Sequence, residues 1–168
     1  MTNLIKMLRI DERLVHGQVA LIWSHQLQVD HIVVVNDKAA NDPIQSASLK
    51  MATPPTMKAI VLTRDKAKTL FADPRFNALN SFIVVNNPQD ARFVVETGVK
   101  IPLVNIGNFG RASKEAAANK KKYTENLRLS DQDVADLQAI SDSGTPVAYQ
   151  IVPDQQKIPL DKLIQKGA

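Results

Sequence analysis

The segment Arg9-Ile10-Asp11-Glu12-Arg13-Leu14-Val15-His16-Gly17-Gln18-Val19 places two arginines, two acids and a histidine within eight positions, Arg9 to His16. A plain connection would draw on small turn formers, and Gly17 is the only one here. Near neutral pH much of an imidazole population is uncharged, so a ring nitrogen can attack phosphorus. A histidine just ahead of a helix would direct the free amides and positive end of that helix toward phosphoryl oxygens. Gly17 would let the backbone approach closely. Arg13 can offer a planar fork to two of those oxygens. Positioning and charge neutralisation are most of what phosphoryl transfer needs. The same residues have plainer uses. His16 could cap a helix or lie on the surface, and the arginines could simply pair with Asp11 and Glu12.

The elements that must hold this loop alternate along the chain. Strands are predicted at Leu4–Ile10, His31–Val35, Lys58–Leu62, Ser81–Val85, Pro102–Val104, Tyr123–Leu129 and Pro146–Val152. Helices are predicted at Gly17–Leu27, Asp42–Ala52, Arg64–Phe71 and Pro88–Thr97, the last closed by Gly98. Two more follow, one from Ser130 to near Gly144 and one over Leu160–Gln165. The β-branched run His-Ile-Val-Val-Val at 31–35 is typical of a strand covered on both faces. This alternation implies βαβ units: a three-layer α/β/α fold with a mostly parallel central sheet, spanning residues 1–168 as one domain. Ligands of such folds bind beyond the carboxyl ends of the strands. The candidate loops are therefore Asp11–His16, Asn36–Asp42, Asn86–Pro88 and Asn105–Arg111.

Secondary candidates follow from those loops. Asp37 and Asp42 could orient His16 or Arg13, but Asp42 ahead of Pro43 also reads as a helix cap, the favoured reading. Asn105, Gly107 and Gly110 suggest amides facing an anion, or an ordinary flexible turn. The spacing is neither a P-loop nor a dinucleotide fingerprint. Trp23 is expected in the core and His25 to be structural or exposed. Phe109 could dock on a partner or anchor its loop. Lys120-Lys121-Lys122 reads as a solvated helix end or loop.

The first loop resembles the active-site signature of IIB components of the mannose/fructose/sorbose family of the bacterial sugar phosphotransferase system. Val34-Val35-Asn36-Asp37, Ala40-Asn41-Asp42, Leu49-Lys50-Met51-Ala52 and Val104-Asn105-Ile106-Gly107 fit the same family. The sequence departs at Asn36, where many members have an acid. The resemblance implies that His16 accepts a phosphoryl group from a phosphohistidine of a IIA protein. It then passes the group to a sugar held by membrane IIC and IID subunits. It implies phosphate binding by Arg13 and phosphorylation at Nδ1. Arg9, Asp11, Gly17, Gln18, Asp37, Asn105 and Gly107 are the candidate phosphate-binding or supporting residues around them. Arg9, Arg13, Arg111 and Lys114 would supply a positive docking rim.

Composition bounds these readings. The 168 residues are 44% hydrophobic and 23% charged, without cysteine, so disulfides and thiolate zinc sites are excluded. The three histidines form no close metal-binding pair. No cofactor is expected, because another protein's phosphohistidine would be the donor. A net charge of +4 with 5% aromatic residues favours an acidic or phosphate-bearing partner over nucleic acid. No apolar stretch approaches a membrane span or signal peptide, so the expected location is cytoplasmic, with membrane association through partners. Two alternatives differ in class: a non-catalytic anion- or nucleotide-binding module, and a protein phosphorylated at His16 only as a signal.

Overall fold

The computed structural model describes residues 5–111 and 118–166. Its elements in chain order are β1 (Ile5–Ile10), α1 (Gly17–Leu27), β2 (His31–Val35), α2 (Asp37–Ala40), α3 (Pro43–Met51), β3 (Lys58–Leu62) and α4 (Arg64–Ala72). After a 3-10 turn at Pro74–Ala78 come β4 (Ser81–Val85), α5 (Pro88–Glu96), β5 (Val104–Ile106), β6 (Lys121–Thr124) and β7 (Leu127–Leu129). The chain continues with α6 (Asp131–Asp142), β8 (Val147–Tyr149), β9 (Ile158–Pro159) and α7 (Leu160–Lys166).

A seven-stranded sheet runs β3-β2-β4-β1-β5-β8-β9, and β6 and β7 form a separate two-stranded sheet. The pairs from β3 to β8 are parallel, and β9 runs antiparallel to β8. The mostly parallel α/β architecture is thus the one predicted. Strands covered on both faces read as continuous apolar runs, and the packing shows why. Val33, Val35, Ile83 and Val85 face one core cluster with Ala91 and Val94 of α5 and Leu137 and Ile140 of α6. Ile32, Val34, Phe82 and Val84 face the other, with Ala20 and Trp23 of α1 and Leu49 of α3.

Helix starts follow local capping chemistry. The side chains of Asn36, Asp42, Thr63, Asn87 and Ser130 each accept an amide in the first turn of α2, α3, α4, α5 and α6. This corrects one reading. The predicted loop Asn36–Asp42 contains the helical turn α2, because Asn36 Oδ1 accepts the Ala39 amide at 2.8 Å. The 3-10 turn at 74–78 is likewise started by Asp73, which accepts the Arg75 amide.

Three strands differ from expectation. The strand predicted at Pro102–Val104 lies two residues later, because Asn105 is a buried strand residue paired with Arg9 and Ala148. The single strand predicted over Tyr123–Leu129 is a hairpin turning at Glu125-Asn126, with Lys121 opposite Leu129. Lys121 and Lys122 therefore lie on an exposed strand rather than at a helix end or in a loop. The strand predicted at Pro146–Val152 stops at Tyr149, because the Gln150 and Ile151 carbonyls turn toward Arg9 and Trp23. Leu4, the predicted start of the first strand, and Lys114 lie outside the described residues.

Candidate active site

The connection leaving β1 runs to β2 on one side of the sheet, and that leaving β5 runs to β8 on the other. The carboxyl ends of β1 and β5 therefore flank a topological switch point, where an open α/β sheet leaves a crevice. His16 stands there as the residue preceding α1, with extended backbone (φ −144°, ψ 121°), and its side chain makes no capping hydrogen bond. No acid occupies the first turn of α1. The four first amides of a helix have no intrahelical acceptor, so α1 presents them uncapped beside the imidazole.

The imidazole is held from beneath. His16 Nε2 lies 3.3 Å from Asp11 Oδ2, with the His16 side chain 22% exposed and Asp11 fully buried. Donation by Nε2–H to the carboxylate leaves the Nδ1 lone pair unprotonated. Asp11 also accepts the Arg13 amide on Oδ1 (3.2 Å) and Arg9 Nη2 on Oδ2 (3.1 Å). The turn closes with the Leu14 amide on the Asp11 carbonyl at 2.8 Å, Leu14 taking φ 60°.

Arg9 is the internal strut of this loop, only 2% exposed. Its Nη1 donates to Asn105 Oδ1 and, at 3.2 Å, to the Gln150 carbonyl. Asn105 Nδ2 donates to that same carbonyl at 3.0 Å. The guanidinium lies 5.6 Å from the Trp23 ring centroid, and Trp23 Nε1 donates to the Ile151 carbonyl at 2.8 Å. Burial pulls the Arg9 guanidinium below its ordinary value, and the adjacent Asp11 carboxylate opposes that shift. Arg9 therefore cannot belong to a solvent-facing rim. Arg13 is exposed, and among the described residues its guanidinium has no partner.

Gly107 leaves room for this strut, since a Cβ there would collide with the Arg9 guanidinium. At Gly17 a Cβ would meet nothing within 4 Å, so the reason for glycine is its φ of 28° and not a close approach. Gln18 is the second residue of α1. Asp37 is not brought to His16. Its carboxylate accepts the Arg64 amide at 2.7 Å, at the far side of β4 from β1. Asp42 caps α3 through the Ile44 and Gln45 amides. Phe109 is a packed anchor, 7% exposed, with Lys120 Nζ 4.0 Å from its ring centroid. His25 is exposed.

Sequence reasoning missed Trp23, the Gln150 carbonyl and Glu12 as parts of this site. The first two meet Arg9 only through the sheet and left no local signal. Glu12 lies within the motif, but beside two arginines its acid suggests only ion pairing.

A buried acid–arginine pair thus holds a part-exposed histidine at the switch point of a mostly parallel α/β sheet. Residues 5–168 match the family described as PTS system sorbose subfamily IIB component. A Streptococcus pyogenes serotype M6 protein described as "Probable phosphotransferase enzyme IIB component" is 35% identical over 162 residues, covering 96% of this chain and 99% of its own. The crystal structure of the IIBSor domain of the Klebsiella pneumoniae sorbose permease superposes with a TM-score of 0.89 at 30% identity, covering 98% of each chain. The mannose-specific EIIAB component of Escherichia coli K12 is 30% identical over 162 residues, which is 96% of this chain and 49% of that protein. The chain belongs to the sorbose-subfamily IIB components of the sugar phosphotransferase system.

Proposed function

We propose that His16 is the phosphoryl-carrying residue of this IIB component. On this reading it accepts the group from a phosphohistidine of a IIA partner and delivers it to a sugar bound by membrane IIC and IID subunits. The observation that carries the reading is the Asp11–His16 contact, which fixes Nε2 and frees Nδ1 on a partly exposed ring. Nδ1 attacks phosphorus as the donor's N–P bond breaks, and the donor ring leaves as neutral imidazole. The His16 ring, still bearing its Nε2 proton, takes up positive charge against the Asp11 carboxylate. Arg13 and the first-turn amides of α1 meet the phosphoryl oxygens. In the second step a sugar hydroxyl oxygen attacks phosphorus, its proton passes to a base of the sugar-binding subunit or to water, the His16 N–P bond breaks, and the ring returns to its neutral form. Arg9, Asn105 and Gly107 support by holding Asp11 and need not touch phosphate.

Several features favour the partners named. The Escherichia coli relative is an EIIAB component, of which this chain matches 49%. No helix among the described residues is long and apolar enough to cross a membrane, so sugar translocation falls to other subunits, reached from the cytoplasmic side. The partly exposed His16 suits a nucleophile that meets two proteins in turn.

The test is labelling from phosphoenolpyruvate with the general phosphotransferase proteins and a IIA donor. Acid-labile, base-stable label is expected on the wild type and none on folded His16→Ala. Equal labelling of that variant would sink the assignment. Absence of label with several active donors would favour a non-catalytic anion-binding module.

A further inference from the structure

Glu12 turns its back on its own loop. Its amide donates to the Asn108 carbonyl at 2.8 Å, and its Oε1 accepts the amides of Gly110 (2.8 Å) and Arg111 (3.0 Å). Among the described residues these three bonds are all that join residues 11–16 to residues 108–111 by hydrogen bonding. The 108–111 segment is in turn stitched to the β6–β7 hairpin. The Phe109 amide donates to the Asn126 carbonyl at 3.1 Å, and the Arg128 amide to the Phe109 carbonyl at 2.9 Å. Arg111 Nη1 reaches the Glu125 carbonyl at 2.7 Å. Gly110, at φ 88°, lies so close to the Arg128 carbonyl oxygen that a Cβ would collide with it. This assembly carries exposed Arg111, Lys121 and Lys122, the last paired with Glu125 at 2.9 Å, and remains net cationic. Exposed Arg13 follows Glu12 directly.

We propose that Glu12 is a positioning residue for phosphoryl transfer, locking the 108–111 loop and the cationic β6–β7 hairpin in fixed register with the His16 loop. The proposal rests on the transfer reading above and adds to it. Glu12 contacts neither Asp11 nor His16 through its side chain, so it sets where the cationic surface stands relative to the imidazole. A phosphorylated donor that engages both must find them in register. Loss of Glu12 therefore falls on donor engagement and leaves the transfer step itself.

Kinetics with a phosphorylated IIA donor test this. Glu12→Ala is expected to raise KM for the donor at least about tenfold, the low end of what losing hydrogen bonds to a charged group costs, with kcat within about twofold. Glu12→Gln, which keeps an acceptor oxygen in place, recovers most of the loss. Hydrogen exchange at the Gly110 and Arg111 amides speeds up in Glu12→Ala while global unfolding is unaltered. If Glu12→Ala fails to fold, Glu12→Asp, one methylene too short to reach both amides, reads the same shifts. Unchanged KM with both amides still protected overturns the proposal, as does a fall in kcat alone, which would place Glu12 in the transfer step. A wild type that takes no label from any donor refutes the transfer reading instead, and amide exchange still decides whether Glu12 holds the loop.

Discussion

Arg9 shows how one buried charge organises a site without touching the chemistry. Its Nη1 and Nη2 donate to Asp11, Asn105 and the Gln150 carbonyl at once, which offsets the cost of burying the ion pair, while Nε is buried without a hydrogen-bond partner. The arrangement depends on glycine at 107, beside which the guanidinium lies. Gly107→Ala should therefore displace Arg9, and overpacking of this kind costs about 1–3 kcal/mol. Urea denaturation should show a lower midpoint at unchanged slope, accompanied by slower phosphoryl acceptance through a disturbed Asp11. Wild-type stability and labelling in Gly107→Ala would mean that the strut has another place to go. At this scale the sequence was informative where contacts are local. Asp11, Arg13 and His16 stand in one continuous motif, and their mutual contacts span at most five positions. Asn105 and Gln150 reach Arg9 across 96 and 141 positions, so only the folded sheet relates them.

Element boundaries depend on which rule wins locally. β2 and β4 match their predicted bounds, His31–Val35 and Ser81–Val85, because both faces of each are buried and nothing polar interrupts them. β5 does not, because a polar Asn105 inside a three-residue strand resembles a loop until its partner Arg9 is known. The β6–β7 hairpin was hidden because its Glu-Asn turn interrupts two very short strands. Helix α6 was legible from Ser130, whose side chain and that of Asp133 form a reciprocal capping box. That helix is clasped to α5 by Gln89 and Arg92, both of which donate to Asp136. Burial pushes the Asp136 carboxyl up, but the hydrogen bonds from Gln89, Arg92 and Gln132 outweigh it and hold the group below its ordinary value. A carboxyl lowered on folding adds stability above its unfolded-state value and loses it as pH falls through its folded-state value. The clasp should thus be at full strength near neutrality and weaken below about pH 4, in the usual carboxylate range. Denaturation of wild type and Asp136→Asn from neutral to acid pH should show their stability difference shrinking on the acid side. A difference independent of pH would remove Asp136 from the acid response.

The whole molecule carries a net charge of +4, and the fold distributes that charge unevenly with respect to the reaction. Arg9 is withdrawn into the interior. Arg92 is turned toward Asp136 and Glu96, and Lys120 is paired with Asp133 and stacked on Phe109. Arg13, Arg111, Lys121 and Lys122 stay exposed on the first loop, the 108–111 segment and the hairpin to which that segment is bound, Lys122 being paired with exposed Glu125 at 2.9 Å. Exposed charges of one sign accelerate encounter with an oppositely charged partner, and salt suppresses that gain once the screening length falls to about 10 Å near 0.1 M. Buried pairs such as Arg9–Asp11 are screened far less. Salt should therefore separate encounter from chemistry in this protein. Raising ionic strength from about 0.02 to 0.5 M, across that screening range, should increase KM for a phosphorylated IIA donor several-fold. Over the same range kcat and the folding midpoint should barely move. Replacing Arg13 and Arg111 together by glutamine should flatten the salt dependence while leaving Asp11 and His16 in contact. A KM indifferent to salt would mean that donor recognition uses apolar surface, such as exposed Leu21 and Ile22 of α1, in place of the cationic face.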